Sequence, residues 1–347
     1  MIFTCSLPAW ILLALMHLNN RISTIQSNLN FFEAMSMKTN EAVVNAAGLL
    51  AGTGLVAVIG AGQMGNGIAH VFAQTGYRVV LIDVNAEQLE KAVTTITKNL
   101  DRQVAKGTLT EEQKLAAIAN IQISTNLAEA VAQASLVIEA ATENVDLKLK
   151  IFKQIDEAAP EGCVLASNTS SISITKIAAI TSRPSMVIGM HFMNPVPVMK
   201  LVEVINGYAT SKEVSQLIVA LSKKIGKVPS EANDYPGFVA NRILMPMINE
   251  AICSLHEGVA GVESIDTIMK LGMAHPMGPL QLADFIGLDT CLSILRVLHE
   301  GFGNPKYAPS PLLVNMVMAG KLGVKSGEGF YKYTAGSKEL VVSDSFL

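Results

Sequence analysis

A glycine-rich turn between an apolar strand and a helix-forming segment constrains the fold of this chain more than any other feature. The stretch LVAVIGAGQMGNGIAHVFAQTGYRVVLID runs from Leu55 to Asp83. Gly60 permits a tight turn out of the strand, Gly62 lets the backbone approach a pyrophosphate, and Gly65 lets the helix pack closely on the sheet. The free N–H groups of the helix N-terminus then face the phosphates. The unit predicts a dinucleotide-binding site, the alternative being a glycine-rich turn in an ordinary βαβ unit.

The acid that ends this stretch indicates which dinucleotide binds. Asp83 follows the glycines by about 20 residues, where a carboxylate can bind both ribose hydroxyls. It would repel a 2′-phosphate, and the residues directly after it are Val84 and Asn85 rather than an arginine. We therefore expect NAD as the cofactor, with the binding residues Gly60, Gly62, Gln63, Met64, Gly65 and Asp83.

Composition excludes several other classes of function. The net charge is −3 over 347 residues and there is no basic run, so we expect no nucleic-acid partner. The four cysteines have no CxxC or CxxH spacing, which argues against a metal site or a disulfide framework. Such cysteine usage is typical of a reducing compartment, and we expect a cytoplasmic protein.

The first 53 residues differ from the rest of the chain. The apolar stretch from Leu7 to Leu18 is shorter than the roughly 20 residues that a membrane span needs, and no Lys or Arg precedes it. It could be an upstream extension from a misplaced start, a weak targeting segment or a membrane-associated helix. We favour the first, with Met35 or Met37 as the start, a disordered lead up to Thr53, and no stable membrane association.

From Leu55 to residue 234, short apolar strands alternate with helices, as in a doubly wound parallel sheet. A helical insertion, Ala86 to Ala105 and a second helix from Glu111, separates the second strand from the third. Thr110 and Gln113 have the spacing of a capping box for that second helix. The predicted strands are Val56–Gly60, Arg78–Asp83, Leu136–Ala140, Val164–Ser167, Val187–His191 and Leu201–Ile205.

The pattern changes at the Pro-Gly pair of Asn233–Gly237, after which apolar residues recur at helical spacing. The predicted fold is α/β, a Rossmann-type doubly wound sheet with a helical insertion, followed by an all-α C-terminal domain. The predicted boundaries are an extension over 1–53, an NAD-binding domain over 54–234, an all-α substrate and dimerisation domain over 235–334, and a tail over 335–347.

Three groups near predicted strand ends or the domain boundary could carry chemistry: Ser170 in SNTSS, His191 in HFMNP and Asn241 in PGFVANR. Oxidising an alcohol with NAD requires a base, and histidine suits this near neutral pH. Glu203 lies in the apolar strand LVEVI, where a carboxylate is costly unless it is paired. Pairing with His191 would satisfy both residues. The alternatives are a histidine bonded in the core and a glutamate pointing outward from an edge strand.

These motifs together resemble the L-3-hydroxyacyl-CoA dehydrogenase family, especially its bacterial 3-hydroxybutyryl-CoA members. The resemblance runs from Leu55 to about Tyr333. HFMNP has Met193 where another Phe is common, a change expected to alter packing rather than chemistry. The motifs are GAGQMGNGIA, VIEAATEN, SNTSSISIT, HFMNPVPVMKLVEV, YPGFVANRILMPMINEA, HPMGPLQLADFIGLDT and KSGEGFYKY.

The resemblance implies a role for each matching residue. His191 would be the catalytic base and Glu203 the carboxylate that orients it, while Ser170 and Asn241 would hold the reacting oxygen. Further cofactor contacts would come from Glu143, Lys148, Asn194 and Lys325. Lys106, on the helical insertion, would meet the CoA moiety. For Lys106 and Lys148 the alternative is a solvated surface lysine.

The resemblance implies reversible NAD-dependent oxidation of an (S)-3-hydroxyacyl-CoA, short-chain 3-hydroxybutyryl-CoA in particular, to the 3-oxoacyl-CoA. It also implies a homodimer formed through the helical domain. One alternative is an NAD-dependent dehydrogenase of a free 3-hydroxy acid, a class that usually relies on a Lys base and a cationic clamp. The other is a non-catalytic NAD(H)-binding protein, against which the complete catalytic set argues.

Overall fold

The computed structural model describes residues 47–334, 336–337 and 339–347. The predictions for the apolar stretch and the alternative starts lie outside the described residues. The prediction that the chain is disordered up to Thr53 is wrong for residues 47–51, which are helical. Leu49 is fully buried, and the Tyr77 hydroxyl donates a hydrogen bond of 2.7 Å to its carbonyl oxygen. The folded chain therefore includes residues before position 54.

The first domain is built on an eight-stranded sheet in the order β3-β2-β1-β4-β5-β6-β7-β8. All six predicted strands form, within two residues of their predicted bounds. The strands are β1 Leu55–Ile59, β2 Val79–Ile82, β3 Ile121–Ser124, β4 Ala134–Glu139, β5 Val164–Ser167, β6 Val187–Phe192, β7 Leu201–Asn206 and β8 Val228–Asn233.

Two strands of this sheet, and the direction of a third, were not predicted from the sequence. The outer strands β3 and β8 are largely exposed, so they lack the apolar run that identifies a buried strand. The expected parallel direction is wrong for β7, which runs antiparallel to β6. Only eight residues join these two strands, too few for the crossover that a parallel pair requires.

Helices cover both faces of this sheet. Alternation along β1 places Val56 and Val58 in one apolar cluster and Ala57 and Ile59 in the other. The predicted insertion forms as α2 and α3, and the capping box of Thr110 and Gln113 is present. The helices are α1 Gln63–Gln74, α2 Ala86–Ala105, α3 Glu111–Ala119, α4 Leu127–Val131, α5 Val145–Ala158, α6 Ile174–Ala178 and α7 Lys212–Lys224.

The chain after residue 237 forms a helical domain with its own apolar core. A π-helical turn over Ile268–Gly272 follows directly on the short helix Val262–Thr267. None of the helices in the described ranges is both long and apolar enough to cross a bilayer. The helices are α8 Ala240–His256, α9 Val262–Thr267, α10 Pro279–Ile286, α11 Leu288–Phe302 and α12 Pro311–Met318.

The predicted tail is instead part of this helical domain. Strand β10, Val341–Val342, pairs antiparallel with β9, Tyr331–Lys332. Ser343 is fully buried, and the Phe346 ring lies 5.7 Å from the Phe330 ring. Contacts made by the last residues therefore extend the folded domain past position 335.

A buried carboxylate ties the C-terminal strand to the helices. Asp284 on α10 is 1% exposed and accepts hydrogen bonds from the Phe330 and Tyr331 N–H groups and from the Tyr333 hydroxyl, at 2.9–3.0 Å. Burial raises the pKa of Asp284 to about 6, and the nearby Asp266 adds to this, although the three donors oppose it. The charge on Asp284 is therefore unfavourable to the folded domain at neutral pH.

Candidate functional site

The glycine turn is tightly packed toward the sheet and open on its other side. Gly60 has a φ of 97°, and a Cβ there would lie 2.6 Å from the Ala141 Cα. A Cβ at Gly65 would lie 1.7 Å from the Gly60 carbonyl oxygen, whereas a Cβ at Gly62 would meet nothing within 4 Å. The open position is the one where a pyrophosphate must approach the backbone, so the turn fits the dinucleotide.

Asp83 lies across from this turn at the end of β2. Its Oδ2 accepts a hydrogen bond of 2.8 Å from the Ala61 N–H, and its Oδ1 accepts one of 3.0 Å from the Asn85 N–H. These two bonds hold the carboxylate beside the glycine turn. It is thereby positioned for the ribose of a dinucleotide bound on that turn.

The first residues of α1 reach the loop that follows the candidate base. The Gln63 Nε2 donates a hydrogen bond of 3.1 Å to the Asn194 Oδ1. Met64 packs against the adjoining apolar core. Asn194 is thus brought from a distant part of the sequence to the edge of the cofactor turn.

The candidate base and its carboxylate face each other on two neighbouring strands. His191 on β6 is paired in register with Glu203 on β7, and the His191 Nδ1 lies 2.7 Å from the Glu203 Oε2. Glu203 is 4% exposed and β7 lies inside the sheet, so the outward-pointing alternative is wrong. The second oxygen, Oε1, accepts a hydrogen bond of 3.1 Å from the Ala240 N–H in the helical domain.

These contacts keep Glu203 ionised. Burial alone would raise its pKa, but the hydrogen bond and charge of His191 and the backbone N–H groups of Val239 and Ala240 lower it below the ordinary value. An ionised carboxylate at Nδ1 requires that nitrogen to carry a proton. The other ring nitrogen of His191, Nε2, is then the basic one.

Ser170, Asn241 and Glu143 meet in the cleft between the two domains. The Ser170 N–H and hydroxyl both donate to the Glu143 Oε1, at 2.8 and 3.2 Å. The Asn241 Nδ2, from the first turn of α8, donates to the Ser170 carbonyl oxygen at 3.2 Å. The structure therefore links residues of both domains at one site, as the sequence motifs predict.

Three residues that were not predicted from the sequence support this arrangement. The Asn168 Oδ1 accepts a hydrogen bond of 2.9 Å from the Phe192 N–H, which joins the ends of β5 and β6. Phe238, buried and with a φ of 50°, lies with its ring centroid 6.1 Å from that of His191. Asp234 accepts bonds of 2.7 Å from the Ser173 hydroxyl and the Thr175 N–H. Asn168 and Phe238 lie inside the quoted motifs, the only signal that could have found them.

Lys148 does not reach the cleft surface. It is 1% exposed, so the alternative of a solvated surface lysine is wrong, and its ammonium pairs with the fully buried Glu139. Glu139 also accepts a hydrogen bond of 2.9 Å from the Ala141 N–H. Because Ala141 lies against Gly60, Lys148 supports the wall behind the glycine turn.

The two other predicted lysines lie on other elements of the chain. Lys325, in a short 3₁₀ helix of the helical domain, pairs with Asp289 of α11. Lys106 is exposed at the C-terminal end of α2. Within the described ranges, no three His, Cys, Asp or Glu side chains are placed to hold a metal ion.

The site combines a phosphate-binding glycine turn, an acid for the ribose, and a His–Glu pair in an interdomain cleft. A fold and site of this kind define an NAD-dependent oxidoreductase.

Comparison with known proteins identifies the family. Residues 55–235 match the model of the 3-hydroxyacyl-CoA dehydrogenase NAD-binding domain, and residues 237–333 match that of the 3-hydroxyacyl-CoA dehydrogenase C-terminal domain. The chain belongs to the 3-hydroxyacyl-CoA dehydrogenase family, whose members are NAD-dependent oxidoreductases. The resemblance, the fold class and NAD as the cofactor are therefore confirmed.

Individual relatives agree with this assignment. The chain is 57% identical over 278 residues to a probable 3-hydroxybutyryl-CoA dehydrogenase of Bacillus subtilis, covering 80% of this chain and 96% of that protein. It is 54% identical to the 3-hydroxybutyryl-CoA dehydrogenase of Bradyrhizobium diazoefficiens, and the match covers 80% of this chain and 94% of that protein. Among solved structures, the chain resembles the crystal structure of (S)-3-hydroxybutyryl-CoA dehydrogenase PaaH1 from Ralstonia eutropha, with a TM-score of 0.79 and 53% sequence identity. This match covers 81% of this chain and 99% of that one.

Proposed function

We propose that this chain catalyses the reversible NAD-dependent oxidation of a short-chain (S)-3-hydroxyacyl-CoA, 3-hydroxybutyryl-CoA in particular, to the 3-oxoacyl-CoA. The observation that carries the proposal is the 2.7 Å contact between His191 and the buried Glu203, in the cleft that holds Ser170 and Asn241. The substrate class is supported by the names of the relatives at 54–57% identity.

His191 acts as the general base. Its Nε2 takes the proton of the 3-hydroxyl, and the ionised Glu203 stabilises the imidazolium that forms. NAD, when bound, supplies the acceptor for the hydride from C3 of the substrate. Because Glu203 is held by Ala240 on the helical domain, the base is oriented by both domains at once.

Ser170 and Asn241 position the reacting oxygen. In this structure the Ser170 hydroxyl donates to Glu143 and the Asn241 amide donates to the Ser170 carbonyl. Both side chains carry donors that can turn to a substrate oxygen in the cleft. In the reverse direction Asn241 and protonated His191 polarise the ketone, as in oxyanion stabilisation.

The cofactor and CoA contacts follow the same assignment. The glycine turn, Gln63, Met64, Asp83, Glu143 and Asn194 face the dinucleotide, with Lys148 acting through Glu139 and Lys325 from the helical domain. Lys106, exposed at the end of α2, offers a cation to the phosphates of CoA.

We further propose a homodimer that forms through the helical domain. This domain exposes several large apolar side chains, which a second copy would cover: Ile268, Leu271, Met273, Phe285 and Met318. A cytoplasmic location is supported by the free thiols of Cys163, Cys253 and Cys291.

The test is to mix the purified protein with acetoacetyl-CoA and NADH and to follow absorbance at the NADH band. We expect rapid NADH loss, slow or no loss with NADPH, and no loss when acetoacetate replaces the thioester. Equal rates with acetoacetate would favour a free-acid dehydrogenase. Measurable NADH binding without turnover of either substrate would favour a non-catalytic NAD(H)-binding protein.

A further inference from the structure

Helix α1 is joined to the helical insertion by a partly buried polar triangle formed by His70, Gln74 and Gln103. The His70 Nε2 lies 2.9 Å from the Gln74 Oε1 and 3.2 Å from the Gln103 Nε2. The Gln74 Nε2 donates to the Gln103 Oε1 at 2.8 Å, and the Gln103 Nε2 donates back to the Gln74 Oε1 at 3.3 Å. His70 is 1% exposed, whereas Gln74 and Gln103 are partly exposed.

The contacts define the state of the imidazole. Because the closer neighbour of Nε2 is a carbonyl oxygen, Nε2 carries the proton and donates to Gln74. The Gln103 Nε2 is itself a donor, so it makes no hydrogen bond to this nitrogen, and His70 acts on Gln103 through Gln74. Burial lowers the pKa of His70 against the opposing hydrogen bond to Gln74, and the charge of Lys227 lowers it further. The ring is therefore neutral, and its Nδ1 is buried with no partner among the described residues.

The two helices that this triangle joins lead to functional parts of the domain. Helix α1 begins at the glycine turn, and α2 ends two residues after Gln103, directly before Lys106. A Cβ at Gly67 on α1 would lie 2.8 Å from the Val196 Cβ, in the loop that follows His191. A change in the angle between α1 and α2 would thus move Lys106 relative to the cleft.

Apolar packing alone would fix this angle weakly. Ile96 and Leu100 of α2 are buried against the core shared with α1, but contacts of this kind are non-directional. Hydrogen bonds have directional geometry, and buried ones are costly to leave unmade. The triangle is therefore suited to set the rotation of α2 on α1.

We propose that His70 is a positioning residue for the CoA moiety, because it fixes the α2–α3 hairpin and so the place of Lys106. The proposal rests on the proposed contact between Lys106 and CoA. Loss of the triangle should raise the KM for a CoA thioester roughly five- to thirtyfold, the effect of one or two buried hydrogen bonds. The kcat should stay within about twofold, because no atom of His70 touches the reacting groups.

The experiment compares acetoacetyl-CoA with acetoacetyl-pantetheine, which lacks the nucleotide and its phosphates. We expect His70→Leu and Gln103→Leu to raise the KM for acetoacetyl-CoA only. His70→Gln, whose amide N–H can replace the hydrogen bond to Gln74, should keep the wild-type KM. Thr95→Leu, a polar-to-leucine change on the exposed side of α2, is the matched control and should alter neither KM.

Two results would overturn the proposal. One is a parallel rise in KM for both thioesters in His70→Leu, which would mean general loosening of the domain. The other is an unchanged KM for acetoacetyl-CoA in His70→Leu while Lys106→Ala raises it. An unchanged KM in Lys106→Ala itself would instead refute the CoA contact of the proposed function. If His70→Leu does not fold, the half-exposed Gln103 carries the same comparison.

Discussion

His191 and Glu203 lie opposite each other on antiparallel strands, with the His191 Nδ1 2.7 Å from the Glu203 Oε2. Paired residues of neighbouring strands project to the same face of a sheet. The backbone ladder therefore fixes the distance between the two side chains. A helix or loop in place of either strand would leave that distance to flexible rotamers.

Replacing His191 by Gln should lower kcat by about two to four orders of magnitude, the usual contribution of a general base. The amide preserves much of the size of the imidazole but cannot take a proton. NADH reduction of acetoacetyl-CoA is the measurement, with NADH binding by fluorescence as the control for folding. Turnover within a few-fold of the wild-type rate would contradict the assignment of the base.

Replacing Glu203 by Gln should change stability in a pH-dependent way. The folded state lowers the pKa of Glu203, so its stabilisation is present above the ordinary carboxyl value and is lost as pH falls through the lower folded value. The Tm difference between wild type and Glu203→Gln should have its largest value at pH 7 and should decrease below about pH 4. A difference that does not change with pH would show that the charge of Glu203 does not stabilise the fold.

Two glycines of the cofactor turn should respond differently to alanine. Gly65→Ala places a Cβ 1.7 Å from the Gly60 carbonyl oxygen, so the backbone must move and stability should fall by roughly 1–3 kcal/mol. Gly62→Ala meets no atom within 4 Å, so the Tm should be retained while the Kd for NADH rises because the methyl obstructs the pyrophosphate. Thermal melts and NADH titrations on both variants check this. A large Tm loss in Gly62→Ala would contradict the open position described for it.

Removing the charge at Asp83 should relax the choice of cofactor. In Asp83→Ser the ribose loses its carboxylate partner, and the repulsion of a 2′-phosphate disappears. We expect the kcat/KM for NADH divided by that for NADPH to fall at least tenfold. This corresponds to a loss of about 1.4 kcal/mol in the discrimination between the two cofactors. Glu87→Ser, a nearby exposed acid at the start of α2, is the matched control and should keep the wild-type ratio.

Asp284 should make the helical domain more stable in mild acid than at neutral pH, relative to an Asp284→Asn variant. Its pKa rises from 3.8 to about 6 on folding, so the folded state binds the proton more tightly. The stability difference between wild type and variant should move in favour of wild type, by about 2 kcal/mol, as pH falls from 6.5 to 4.5. Urea unfolding at several pH values measures it. A shift of the opposite sign would mean that the three donors outweigh burial.

Features that depend on neighbouring residues were predictable from the sequence. The spacing of Gly60, Gly62 and Gly65 and the apolar run before them predict the strand, the turn and the helix. The capping box at Thr110 was predictable for the same reason, because both partners lie within one helical turn. Burial of Lys148 was not, since it depends on Glu139 of another element.

The sequence by itself determined the Rossmann-type domain, the helical domain, the NAD preference and the identity of the catalytic candidates. These follow from local backbone preference, apolar periodicity and motif order. Only the tertiary structure decided that β7 runs antiparallel to β6, that the last residues join the helical domain, and that Gln74, held by His70, links α1 to α2. These depend on contacts between segments far apart in the chain, and strand direction and burial are set by that packing rather than by the residues of either segment alone.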